Sequence, residues 1–235
     1  MIGRRAFMLA AGSAALVLPR QPAAAASAER LLEVAVKKAG GRDILSRVRS
    51  LRWQGEAVLH GAEKPLTIGV DTMVVPFRWA RSETWLTAQG KSSARTMTIT
   101  LGDGWVTRGT ATTHLPARVA AYERAQYAIY GLMLLQPLLD LGVGLRTLPK
   151  QRGLRPLEVM HRLAPRTTLF FDRQERLAEA ENVIPSHEGE GEVAQRFLFS
   201  EETVAAPFRW PARMQILQGG KPWFELAFRR FTAEL

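Results

Sequence analysis

The sequence predicts an α+β fold, a strongly curved antiparallel sheet wrapped around central helices with one further helix at the N-terminus. Two observations carry this. Apolar residues recur with a period of two in one run after another, the signature of strands with one buried face. The stretch YAIYGLMLLQPLLDLGVGL, residues 127–145, breaks that rhythm and is apolar on every side of a helix. A helix of that kind must be surrounded, not merely covered. One flat sheet face covers a helix; a curved sheet surrounds it.

The first 28 residues read as an export signal and not as part of the fold. Arg4 and Arg5 precede a short apolar run that ends at Leu18; Arg20, Pro22 and an alanine tract follow. Small residues at 24–26 or 26–28 suit signal peptidase and place the mature N-terminus near Ser27 or Glu29. Twin arginines, with Arg20 as a basic residue after the apolar run, resemble a Tat signal. The run is too short for a membrane span, which takes about 20 residues. Without its first 28 residues the chain keeps about 207, and the formal charge falls from +10 to +7, because Arg4, Arg5 and Arg20 leave and no acid does. That length fits one domain, 29–235. Exported basic proteins meet anionic membrane surfaces rather than nucleic acid. Cysteine is absent, which excludes disulfides, thiolate metal sites, a cysteine nucleophile and a lipobox anchor.

The expected mature chain opens with the helix ERLLEVAVKKAGG, stopped by Gly40 and Gly41. A short helical turn, RDILSRV, follows. Strands then begin. Leu51, Trp53, Gly55, Ala57 and Leu59 share one face; Leu66, Ile68, Val70 and Val74 share another. FRWARSETWL comes next, and then RTMTITL, where Met97, Ile99 and Leu101 alternate with threonines. GDG at 102–104 is a hairpin signal, after which WVTRG returns. A helical insertion starts near Pro116, a favoured first helical residue. After Gly144 the strands resume with LEVMHRL. TTLFFDRQERLAEAENVI reads as strand, Asp172-led turn and strand. AQRFLFS and a final pair around Gly219 and Gly220 complete about eight to ten strands.

Residues 127–145 have the length of a membrane span, but Gln136, Pro137 and Asp140 within it are costly in lipid. The stretch reads instead as a helix under or inside the sheet, either a plug or a movable lid over a lipid-sized cavity. Pro137 should split it into two segments. Leu132, Leu135 and Leu139 should be deeply buried on one side.

The N-terminal helix ending in GGRDIL, the run VRSLRWQGEAVL with its successive hairpins, TTLFFDRQERLAEAE and the closing FRWPARMQI…WFELAFRRF resemble the periplasmic LolA/LolB-like superfamily. The resemblance spans nearly the whole expected mature chain. It implies an unclosed β-barrel with helices covering its concave side, and a role in binding acyl chains or other lipids, with lipoprotein carriers among the relatives. The Tat-like signal and the basic charge depart from the dedicated lipoprotein carriers.

Catalytic signatures are missing. His60, His114, His161 and His187 form no HxH, HxxxH or HExxH pair, and no nucleophile elbow, P-loop or dinucleotide motif occurs. Asp103 and Asp172 read as turn residues, and Arg81 with Glu83 as a pair on one strand face. The expectation is therefore a non-catalytic periplasmic binding or carrier protein, without cofactor or metal, for a lipid, acyl chain or other amphiphile. The alternative is an interaction subunit of an envelope assembly whose barrel is filled by its own helix. The expected partners are the lipid itself, an anionic membrane surface or an envelope protein, and no nucleic acid. The residues expected to line a ligand cavity are Trp53, Trp79, Arg81, Trp85, Tyr130, Met133 and Leu135. On the face of Trp79, Arg81, Glu83 and Trp85, charges between aromatics suit a cavity mouth.

Overall fold

The computed structural model describes residues 22–61, 63–187, 189–203 and 207–235. One antiparallel sheet organises them. Its strands are β1 (Ser50–Leu59), β2 (Leu66–Val75), β3 (Trp79–Leu86), β4 (Arg95–Thr100), β5 (Gly104–Arg108), β6 (Ala111–His114), β7 (Gly144–Thr147), β8 (Arg155–Met160), β9 (Thr167–Phe171), β10 (Leu177–Pro185), β11 (Glu192–Ser200), β12 (Arg213–Gln218) and β13 (Lys221–Glu234). The three helices are α1 (Pro22–Ala39), α2 (Arg42–Leu45) and α3 (Ala117–Met133).

The sheet holds thirteen strands, not eight to ten. The surplus includes β6 and β7, each of four residues, too short to display a period. The spatial order is β6-β5-β4-β3-β2-β1-β13-β12-β11-β10-β9-β8-β7. Two meanders are thus joined where the first strand pairs with the last, from Ser50 opposite Glu234 to Leu59 opposite Phe224. The outer strands β6 and β7 do not pair, so the barrel stays open.

α3 is the crossover from one free edge to the other, and it shows that the sheet is curled. It touches β4 and β5 on one limb and β10 on the other. β4 and β10 are seven steps apart in the sheet order, which would be about 33 Å if flat. A helix about 10 Å across meets both only if the sheet wraps around it. Arg118 near the start of α3 confirms the closeness, donating from Nε to the Ser186 carbonyl (3.1 Å) and from a terminal nitrogen to the Gly191 carbonyl (2.5 Å) in the β10–β11 hairpin.

Residues 128–135 are all buried, as the all-round apolar pattern requires. The helix stops earlier than the sequence implied. Proline clashes with the carbonyl four residues back, and four residues before Pro137 is Met133, where α3 ends. Leu135 then adopts φ 60° and ψ −40°. Its two neighbours close a γ-turn, the Gln136 N–H donating to the Leu134 carbonyl at 2.6 Å. A short 3₁₀ turn, Gln136–Leu139, follows, and Gly144 and Leu145 already belong to β7. Leu132 and Leu135 are deeply buried as expected, but Leu138 and not Leu139 fills the third position, because the γ-turn resets the helical phase. Pro116 caps α3 from one residue outside it.

α1 covers the β7 edge. Its buried residues Ala28, Leu31, Leu32, Ala35 and Val36 lie three or four apart, one face of a helix. Gly40 ends it at φ +146°, where a Cβ would lie 2.5 Å from the Phe208 Cβ. The twin-arginine segment, residues 1–21, lies outside the described residues.

Candidate functional site: a cavity between the central helix and the sheet

α3 does not fill the concave side. Between it and the inner faces of β1–β4 and β11–β13 lies a cavity of about 400 Å³, within the range of small-molecule sites. Its floor is apolar: Trp53 and Ile68 on the first limb, Phe197, Ile216 and Leu226 on the other. The helix roofs it with Tyr127, Ile129 and Tyr130. The Tyr130 ring packs 4.5 Å from that of Trp53, and Trp53 meets Phe228 edge-on at 5.7 Å. Burial pushes the phenols of Tyr127 and Tyr130 well above their usual range, so both are neutral hydrogen-bonding groups.

One end of the cavity is polar. Gln126 Nε2 (3.0 Å) and Gln218 Nε2 (2.8 Å) both donate to the Tyr122 hydroxyl, and His187 stands edge-on to the Tyr122 ring at 5.1 Å. On the sheet wall Arg95 Nε donates to Thr84 Oγ1 (3.3 Å), and the Thr72 and Ser82 hydroxyls share a hydrogen bond of 2.7 Å. Glu123 faces them from α3. Burial raises its carboxyl to about 7, against the opposing field of Arg95.

The expected lining residues divide. Trp53 and Tyr130 line this cavity. Met133 and Leu135 are buried beyond it, against a second, charged recess of about 460 Å³ between α1 and the Asp172 turn. Trp79, Arg81 and Trp85 do not reach the cavity, which corrects the reading of that face as its mouth. Arg81 is exposed, Lys91 Nζ sits 4.7 Å over the Trp85 ring and bonds Glu83 at 3.4 Å, and Trp79 borders a crevice beside Phe77. The inward residues of β3 are Ala80, Ser82 and Thr84. Ser82 and Thr84 line the cavity, and the large aromatics of this strand, one residue out of phase, turn to the other face.

Sequence reasoning missed Arg95 and Glu123, although both carried a signal. Arg95 is two residues from Met97 and four from Ile99, hence on their face of the strand. Glu123 is four residues from Tyr127 and seven from Tyr130, hence on their side of the helix. Asp172 does lead the β9–β10 turn, its Oδ1 accepting from the N–H groups of Gln174 (2.8 Å) and Arg176 (3.0 Å). Among the described residues no three His, Asp or Glu side chains gather as a metal-binding group, and no helix is long and apolar enough to cross a membrane.

No family model and no curated protein matches the sequence. Solved structures match the fold. A putative outer membrane lipoprotein-sorting protein domain from Vibrio parahaemolyticus is 13% identical, with a TM-score of 0.54 over 88% of this chain and 93% of that one. A LolA superfamily protein from Nitrosomonas europaea is 11% identical, with a TM-score of 0.53 over 88% and 94%. A DUF1329 family protein from Desulfovibrio piger is 10% identical, also at 0.53, over 88% and 93%. The likeness extends over nearly the full length of each of these chains, so this chain, an open antiparallel sheet curled around a crossover helix, shares their fold.

Proposed function

We propose that this protein is a non-catalytic carrier that binds a lipid, acyl chain or similar amphiphile in the cavity beneath α3. The observation that carries this reading is the cavity itself. An apolar space of about 400 Å³ remains where a self-filled barrel would place side chains, and it has one polar end. This favours the carrier over an interaction subunit plugged by its own helix. The neighbours support it at the level of fold, since one is described as a putative lipoprotein-sorting domain. We place the protein in the periplasm, exported through the Tat-like segment at Arg4 and Arg5, with the chain beyond the signal as one domain. Its partners are then a lipid donor or acceptor, an anionic membrane surface or an envelope protein, and no nucleic acid. Native mass spectrometry of the mature protein purified from its host tests the proposal. A co-purifying lipid is the expected result; a clean protein that also ignores fatty-acid probes would overturn it.

A further inference from the structure

On the reading that the cavity holds an apolar chain, its polar end meets whatever that chain carries as a head. Among the described residues, Arg95 on β4 is the one basic Lys or Arg side chain lining the cavity and Glu123 on α3 the one carboxyl. They stand on opposite walls. Of the five guanidinium donors of an arginine, the structure engages one of Arg95, by Thr84. Among the described residues none donates a hydrogen bond to Glu123, and the field of Arg95 is what favours its charge. Tyr130 lies seven residues further along α3, about 10 Å away along the axis, where the apolar floor around Trp53 begins.

We propose that Arg95 and Glu123 form a head-group subsite for a single-tailed amphiphile with an anionic oxygen head, a long-chain carboxylate being the simplest case. Arg95 pairs with the head, and Glu123 enters the complex protonated and donates a hydrogen bond to it. An ammonium head is disfavoured, because it would need an ionised Glu123 in apolar surroundings and would face Arg95.

The same arrangement couples binding to pH. Burial pushes Glu123 up to about 7, so its neutral, binding-competent form declines above neutrality. The other titratable groups around it are Tyr122 and Tyr127 on α3, Arg95 on β4 and His187 from the β10–β11 hairpin. Arg124 turns away and donates to the Thr100 carbonyl at 3.0 Å. The walls from β1–β3 and β11–β13 present no charged side chain to the cavity. His187 also lines this end of the cavity, so a Glu123 variant is needed to separate the two.

The test is calorimetric titration of the mature chain with dodecanoate, dodecanol and dodecyltrimethylammonium. Dodecanoate should bind at least tenfold more tightly than the other two at pH 6. Its affinity should fall about 30-fold between pH 6 and pH 8.5, following the protonated fraction of Glu123. Arg95→Gln should bring dodecanoate down to the level of dodecanol and leave dodecanol unchanged. Glu123→Gln should bind dodecanoate with a flat pH profile. A preference for the ammonium, or an unchanged dodecanoate affinity in Arg95→Gln with an unaltered thermal midpoint, overturns the subsite while the lipid cavity stands. A slope that persists in Glu123→Gln removes Glu123 from the subsite. If none of the three probes binds, the cavity reading itself fails.

Discussion

Leu132 and Leu141 come from the same apolar stretch and have opposite fates. Leu132 is 1% exposed within the curled sheet, whereas Leu141 is 104% exposed in the turn before β7. Truncating a buried leucine to alanine costs its transfer free energy plus the cavity it leaves, about 2–5 kcal/mol. Leu132 sits within the buried core cluster, so relaxation is limited and about 3 kcal/mol is the central value. For a chain of this length each kcal/mol moves the thermal midpoint by about 2–4 °C, so Leu132→Ala should lose about 6–12 °C. Leu141→Ala removes no buried area and should stay within about 0.5 kcal/mol of wild type, roughly 1–2 °C. Thermal unfolding followed by circular dichroism measures both, and urea titration checks that the m-value, and hence two-state behaviour, is unchanged. Equal midpoints for the two variants would refute the wrapped helix. So would a greater loss for Leu141→Ala, which would mean that the stretch is packed in another register.

Leu135→Glu places a carboxylate at a 2% exposed position and should cost several kcal/mol, read as a lower thermal midpoint, whereas unchanged stability with lost lipid would mark the helix as a movable lid. Glu123→Gln should stabilise the empty protein more at pH 8 than at pH 5. A carboxyl raised above its unfolded value supports the fold below about 4.5 and loses that support as pH climbs through about 7; equal shifts at both pH values would show that the group titrates normally. Asn182 and Gln195 face each other across β10 and β11, both buried, with Asn182 Oδ1 and both Gln195 amide atoms unpaired. Unpaired buried polar atoms cost about 1–3 kcal/mol, so Asn182→Leu with Gln195→Met should be neutral or stabilising, and a loss above about 1 kcal/mol would reveal a bridging partner for these amides. If the chain is exported and cleaved, the mature N-terminus should be Ser27 and not Glu29, because Ala28 is fully buried in α1; N-terminal sequencing decides. Arg4→Lys with Arg5→Lys should abolish export through the Tat route, and normal export of that variant would place the protein on another pathway.

The antiparallel strands, the Asp172 turn, the GDG hairpin and the stop at Gly40 and Gly41 were legible because each is a local decision. Period-2 patterning, turn chemistry and glycine's freedom at positive φ act over a few residues. The wrapped helix was legible for a different reason: a helix apolar on every side leaves no surface for water, so the rest of the chain must enclose it. What the linear pattern did not hold was the choice of face in strands that are apolar on both sides. Trp79 and Trp85 read as cavity lining, yet they stand on the outer face, and the inner face of their strand carries Ala80, Ser82 and Thr84. Nor could local pattern say that Arg95 and Glu123, 28 residues apart in sequence, face one another across a cavity. That pairing exists because a crossover helix returns over a sheet curled through some thirteen strands. The chain by itself determined that a curved sheet should enclose an apolar helix. Only the tertiary structure decided how closely the helix fills that sheet, and so where an empty, one-ended polar space remains, since that depends on the long-range register of strands whose pairing energies are nearly alike.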